Sequence, residues 1–164
     1  MRKNKGISKP EPRTWIVSID YKKYDYMGSI ERFGMMDWKN EDVNGHTISH
    51  FELGEHVYIY CNGPKSGKIQ CRAVVIELEV PKEKRFPDKE FWVDPDAFEP
   101  YVERNQVRFL LTDFIDDVTL TKKYLEVFGF DGVVRRPRLL SRFPHLVAYL
   151  EFVIRESVIE MWSL

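Results

Sequence analysis

The sequence predicts an α+β protein whose centre is a strongly bent β-barrel flanked by helices. Two observations lead to this fold class. Some segments are rich in β-branched and aromatic residues and are bounded by turn residues, as strands are. Others carry helix caps or apolar residues at helical spacing. The 164 residues fit one domain, which buries about 70% of the surface that its unfolded chain exposes. We expect a basic, flexible tail over residues 1–13 and a single domain over 14–164.

The first third of the chain is predicted to run strand, helix and loop. Thr14–Ile19 has the β-branched and aromatic content of a strand. Asp25 is a suitable cap for a short helix that ends near Gly34. The stretch from 39 to 54 is polar and contains an Asn-Gly pair, so it is predicted to be loop. Trp38 is assigned to the loop that follows the helix.

A hairpin is predicted next, with arms over 56–62 and 68–79. The second arm is long enough to bend and to serve two faces of a barrel. The connection over 63–68 resembles a phosphate-binding loop, but its glycine-to-lysine spacing is one residue short and it joins two strands, so we interpret it as a turn. Cys61 and Cys71 lie on the paired arms. We expect free thiols, although this geometry leaves a disulfide open.

The second half of the chain begins with a charged, proline-rich stretch over 81–100. We interpret this stretch as an excursion from the barrel that carries a short strand or anchor at 91–93. The remaining predicted elements follow in order: a strand over 106–115, a helix capped by Thr119 and ending at Phe128, a short extended piece at Val133-Val134 and a helix over 143–161.

The composition narrows the classes of function. A net charge of −1 argues against binding of nucleic acid by bulk charge, although basic residues are clustered. No apolar run approaches the roughly 18 residues of a membrane span. The basic start of the chain leads into Pro10 and Pro12 without an apolar segment, so we expect a cytoplasmic protein. His46 and His50 belong to no zinc-binding pattern. No nucleophile, base and orienting group gather in sequence, so we expect no catalytic residues, cofactor or metal.

Three local matches appear in the same order as in a known family. Trp38 precedes a polar loop. Leu53–Tyr60 gives a hydrophobe, a glycine and an acid before a strand, and Val118–Leu120 is followed by Val133–Leu139. Together they resemble the EVE domain, a branch of the PUA-like superfamily related to YTH and ASCH domains, over about residues 14 to 150. The chain departs from the family where Val17–Asp20 keeps only the serine of the usual motif, and where a leucine follows Leu139 in place of a serine.

The resemblance implies a PUA-like fold and a pocket that holds a flipped or single-stranded nucleobase, often a modified one. The implied partner is DNA or RNA, with a nuclease on another chain as a further partner. Trp38 is our candidate for the aromatic wall, since stacking is worth ~1–3 kcal/mol per base; a core role for this side chain stays open. The other candidate base-binding residues are Ser18, Asp20, Tyr60, Cys61 and Asn62, with Tyr24, Tyr26 and Trp92 as reserve walls. Asn62 also suits the turn that follows it.

Arg135, Arg136 and Arg138 are candidate phosphate-binding residues, because they follow the predicted last extended piece closely. A solvated cluster without a partner is the alternative. Two other functions stay open. The first is a small amidohydrolase of the ASCH type that acts on modified nucleosides, with Lys22 or Lys23 and Glu77 in its site. The second is a protein-interaction module whose pocket is vestigial.

Overall fold

The computed structural model describes residues 10–62, 67–98, 100, 103–115 and 117–162, with side chains up to Ser157. Most of the predicted tail and the predicted turn at 63–66 lie outside the described residues. The strands are β1 Thr14–Asp20, β2 Met35–Lys39, β3 His56–Asn62, β4 Lys68–Glu77, β5 Gln106–Phe114 and β6 Arg138–Leu139. The α-helices are α1 Tyr26–Phe33, α2 Lys122–Leu125 and α3 Pro144–Trp162.

The six strands form one mixed sheet in the order β2-β5-β4-β3-β1-β6. Only β1 and β3 are paired in parallel, with Thr14 opposite His56, and the other described neighbours are antiparallel. The sheet curls into a half-barrel flanked by helices. This confirms the predicted α+β fold with a strongly bent barrel.

Local chemistry explains the predicted elements that the structure confirms. The Asp25 carboxylate accepts a hydrogen bond of 3.1 Å from the Gly28 N–H and caps α1. Gly34 ends the helix in the left-handed conformation, at φ 68°, which glycine adopts without a steric penalty. The hairpin arms pair as expected, and a bulge between Ile59 and Tyr60 bends them. Cys61 and Cys71 are free thiols.

Trp38 lies in a strand, and its assignment to a loop is therefore wrong. It sits in β2, directly opposite Val107 of β5. Only Gly34 separates α1 from the five residues of β2. The strand that pairs with β2 is β5, which lies about 70 positions further along the chain. The segment becomes a strand because β5 supplies its hydrogen bonds, which local sequence does not reveal.

Three further boundaries differ from the predictions. The 119–128 region is a 3₁₀ turn, the short helix α2 and a second 3₁₀ turn, so Thr121 rather than Thr119 precedes the α-helix. The last extended piece is β6, whereas Val134 is buried in the core. Among its described residues, the excursion over 81–100 contains three 3₁₀ turns, and a β-bridge between Trp92 and Tyr24 helps to anchor it.

Two buried clusters lie on opposite faces of the sheet. Alternate residues of β1 supply both, with Val17 and Ile19 in the first cluster and Ile16 in the second. The second cluster also contains Leu146 and Leu150 of α3. The central strands are therefore covered on both faces. No helix in the described part of the chain is long and apolar enough to cross a membrane.

Candidate nucleic-acid interface

A cavity of about 660 Å³ opens where the C-terminal end of β1 faces β2. We call it the first cavity. Strand β2 forms one edge of the sheet and β1 lies next to the other edge, so the cavity marks the place where the curled sheet comes nearest to closing. Its volume falls within the roughly 300–1,000 Å³ of small-ligand sites.

Four of the predicted site residues line this cavity together. They are Ser18 and Asp20 from β1, Trp38 from β2, and Arg135 from the segment before β6. Two reserve walls, Tyr24 and Trp92, line it as well. The structure therefore places aromatic, carboxylate, hydroxyl and guanidinium groups around one space, although they come from four separate parts of the chain.

Trp38 contacts both the core and the cavity. Its ring is half-buried against the first core cluster, 6.4 Å from the Phe109 ring in a stacked arrangement and 6.3 Å from the Phe51 ring in an edge arrangement. It also lines the cavity. The core contacts hold the indole in place, so it can offer a rigid surface to a flat ligand.

Tyr24 and Trp92 form a second aromatic wall, with ring centroids 5.2 Å apart. The Tyr24 hydroxyl donates a hydrogen bond of 2.6 Å to Asp88 and lies 2.7 Å from the Ser29 Oγ. Asp88 is itself buried, and its burial raises the pKa of the carboxyl group above the usual range. A buried carboxylate behind the wall thus fixes the position of the Tyr24 ring.

Charged groups of both signs border the cavity. One oxygen of Asp20 accepts a hydrogen bond of 3.0 Å from the Lys22 N–H, and the Lys23 and Arg104 side chains lie nearby in the lining. Asp37 also contributes to the lining. Its carboxylate is held by two hydrogen bonds from Arg108, of 2.7 and 3.0 Å, which neutralise it. The hydrogen bond that Arg108 donates to Asp37 raises the pKa of the guanidinium.

The three predicted residues on β3 are placed elsewhere. Tyr60 is buried in the second core cluster, edge-on to Phe130 at 5.5 Å, and burial raises the pKa of its hydroxyl. Cys61 is half-buried against the first cluster, and burial raises the pKa of this thiol too. Asn62 is exposed at the end of the strand. None of them lines the first cavity, and their role in base binding stays a prediction.

The three predicted phosphate-binding arginines have different surroundings. Arg135 and Arg136 are exposed, and only Arg135 lines the first cavity. Arg138 is half-buried; its guanidinium donates to Asp131 at 2.6 Å and to the Val133 carbonyl at 2.8 Å. Hydrogen bonds from the Val133 N–H and, to a smaller extent, from Arg138 lower the pKa of the Asp131 carboxyl group. Arg138 therefore holds the segment before β6 in place.

Sequence reasoning missed three cationic residues of the lining, Lys23, Lys39 and Arg104, or gave them another role. Lys23 was considered only for an amidohydrolase, and Lys39 and Arg104 were not considered. Arg104 lies just before β5, and its position becomes informative only once β2 is known to pair with β5. Glu77, the other residue of the amidohydrolase set, lies 3.8 Å from Arg108 and does not line the cavity. Among the described residues, no group of three or more potential ligands is placed to hold a metal ion.

Comparison with known proteins supports the fold alone. No family model and no curated protein matches the chain. A hypothetical protein from Leishmania major superposes with a TM-score of 0.52 at 14% identity, over 90% of this chain and 97% of that one. The ASCH structure from Zymomonas mobilis superposes with a TM-score of 0.50 at 15% identity, over 85% of this chain and 96% of that one. Human THYN1 protein in complex with 5-methylcytosine containing DNA has a TM-score of only 0.37 at 16% identity, over 71% of this chain and 75% of that one. This likeness is too weak to support a conclusion about the present chain.

Proposed function

We propose that this chain is a non-catalytic nucleic-acid-binding module that holds a flipped or single-stranded base in the first cavity. The observation that carries the proposal is the convergence of Trp38, Ser18, Asp20 and Arg135 on one space of suitable volume. The EVE assignment, a modification on the base and a nuclease on another chain stay predictions.

The chemistry of the lining supports a base as the ligand. The indole of Trp38 is held by core contacts on one side and can stack on a base, which is worth ~1–3 kcal/mol by alanine substitution. The carboxylate of Asp20 can accept from the exocyclic amine of cytosine, the pairing that acidic side chains make with bases. Arg135 supplies a charge for a neighbouring phosphate. We therefore propose a cytosine-type base, whose substituents the aromatic walls would surround.

Replacement of Trp38 tests this proposal. Trp38→Ala is expected to weaken binding of a short single-stranded oligonucleotide that contains cytosine or 5-substituted cytosine by ~1–3 kcal/mol, through loss of stacking. Affinity is measured by fluorescence anisotropy of a labelled strand. The matched control is Phe128→Ala, because Phe128 is also half-buried and stacks on another aromatic ring, Tyr149, at 4.3 Å, yet lines no part of the first cavity.

The control separates binding from folding. Both variants lose aromatic packing and should lose some thermal stability, but only Trp38→Ala should lose affinity. Equal affinity of wild type and Trp38→Ala would contradict the base pocket. Incubation of wild type with acylated and alkylated cytidines, followed by chromatography, should show no product; a product would establish the amidohydrolase function in its place.

A further inference from the structure

A second cavity, of about 450 Å³, is lined by basic side chains. They are Arg13, His50, Arg138 and Arg142, together with the aromatic residues Trp15 and Phe143. Among the described residues that line this space there is no carboxylate. We propose that the second cavity binds a phosphodiester group of the nucleic-acid strand, next to the nucleotide whose base occupies the first cavity. The placement of this phosphodiester next to the bound base rests on the proposed function, whereas the anion site in the second cavity does not.

Two of the three arginines are held in fixed positions. The Arg13 guanidinium donates to the buried Glu55 carboxylate and, at 2.7 Å, to the His50 carbonyl. Arg138 is fixed by Asp131 and lies over the rings of Phe130 and Phe143, at 5.9 and 5.8 Å from their centroids. Fixed donors lose little conformational entropy when a ligand arrives.

The third arginine supplies the charge that is not neutralised. Carboxylates offset the charges of Arg13 and Arg138. Arg142 is exposed and forms no ion pair with any residue that the structure describes. A cavity with fixed donors and one surplus positive charge is suited to a singly charged phosphodiester, to which a guanidinium can donate two parallel hydrogen bonds.

The two cavities follow one another along the same two chain segments. The loop after β2 contributes Val43 to the first cavity and His50 to the second. The segment before α3 contributes Arg135 to the first and Pro137 to the second, so its two Cα atoms are at most about 7 Å apart. A strand whose base enters the first cavity therefore has a backbone group within reach of the second.

The loop that joins the cavities is itself clamped. The Asn40 side chain donates to the Ser49 carbonyl at 2.8 Å and accepts from the Ser49 N–H at 2.9 Å. Asn40 and Ser49 are both buried. The relative positions of the two cavities are thus set before a ligand binds, which favours a continuous strand over a free phosphate ion.

The test uses an abasic tetranucleotide, which has phosphodiesters but no base to enter the first cavity. Arg142→Ala and Arg142→Glu are compared with wild type, and Arg155→Ala is the matched control because Arg155 is an exposed arginine of α3 that lines neither cavity. Affinity is measured by fluorescence anisotropy at several salt concentrations. We expect Arg142→Ala to lower the affinity and to reduce the slope of log K against log salt by about one, with a larger loss for Arg142→Glu.

The outcomes for the two cavities are separable. Unchanged affinity and slope in both Arg142 variants, or no binding of the abasic strand by wild type, would overturn the phosphodiester site. Full competition of the abasic strand by an equal concentration of inorganic phosphate would also overturn it, in favour of a free-anion site. An Arg142 effect together with no effect of Trp38→Ala on the cytosine strand would leave this site standing and remove the base pocket.

Discussion

Buried carboxylates organise the aromatic and arginine side chains around both cavities. Glu55 accepts from the Trp15 indole at 2.7 Å and from Arg13, beside the second cavity. Asp88 plays the same part behind Tyr24 at the first cavity. Both carboxylates are buried, so water cannot donate hydrogen bonds to them. The side chains of the cavity walls donate these hydrogen bonds instead. These acids hold the walls in place without lining the two cavities themselves.

The buried state of Asp88 predicts a pH-dependent stability difference. The pKa of its carboxyl group is raised above the ordinary value of 3.8, mainly by burial. The folded protein therefore keeps this proton to a higher pH than the unfolded chain does, so ionisation of Asp88 costs folding stability as the pH rises from about 4 through the raised pKa. Asp88→Asn cannot ionise, so its free energy of unfolding relative to wild type should increase across that window and then become constant.

Urea unfolding of both proteins at closely spaced pH values between 4 and 8 would measure this difference. Because the two proteins are compared at the same pH, the contributions of the other carboxylates to the free energy of unfolding cancel. These include Asp131, whose pKa is lowered and not raised. A difference that does not change with pH would show that Asp88 ionises in the folded protein as it does in the unfolded chain.

The sequence identified part of the first cavity, with Tyr24 and Trp92 as reserve walls, but not how these two side chains come together or how deep the cavity is. Ser18, Asp20 and Trp38 could be chosen because strand ends and isolated tryptophans are recognisable in sequence. Tyr60 and Cys61 could not be placed on a face, because neighbouring residues in a strand point to opposite sides and the sequence does not say which side is enclosed. The contact between Tyr24 and Asp88 joins positions 64 residues apart, and only the folded chain reveals it.

At the level of elements, helix α1 was predictable and strand β2 was not. The ends of α1 are encoded locally, by the side chain of Asp25 and the left-handed backbone at Gly34. Strand β2 depends on a distant partner, as do the two residues of β6, which pair with Trp15 and Ile16. The β-branched pair at Val133-Val134 has the higher strand propensity, yet the ladder forms at β6 because β1 lies beside it.

The start of β4 provides a prediction about packing between elements. A Cβ atom at Gly67 would lie 1.7 Å from the Tyr60 hydroxyl oxygen, and Tyr60 is fully buried. Gly67→Ala is therefore expected to lower the free energy of unfolding by about 1–3 kcal/mol, as other overpacked sites do. Chemical denaturation measures the loss.

A second background shows whether the clash is the cause. In Tyr60→Leu protein the ring is gone, so the added Gly67→Ala change should cost much less than it does in wild type. Equal costs in the two backgrounds would assign the effect to the backbone of residue 67 and not to Tyr60.

For the whole molecule, the candidate binding surface and the C-terminal helix pack on different cores. Trp38 packs on the first cluster, whereas α3 packs on the second, on the other face of the sheet. Leu150→Ala should lower the free energy of unfolding by about 2–5 kcal/mol, the range for a buried leucine. Phe152→Ala, on an exposed position of the same helix, should cost much less.

Denaturation and strand binding by the same two variants test this separation. The folded fraction of Leu150→Ala should bind the cytosine strand with wild-type affinity, since none of the second-cluster residues lines the first cavity. A loss of affinity in fully folded Leu150→Ala would show that α3 influences the cavity through the sheet.

The α+β fold class was predictable because the strand and helix patterns persist along the chain, whereas the position of the cavity depends on how far the sheet curls.

The parallel pairing of β1 has a consequence for how the chain folds during synthesis. Strand β1 is made before the other five described strands, whereas its two neighbours in the sheet are β3 and β6, the last of the six. The β3–β4 hairpin can form as soon as it emerges, since its arms are close in sequence. Strand β1, with its apolar Trp15, Ile16 and Val17, must wait until β6 has been made before both its edges are covered. During that interval its unpaired edges can pair with another chain, which makes this strand a site of aggregation risk.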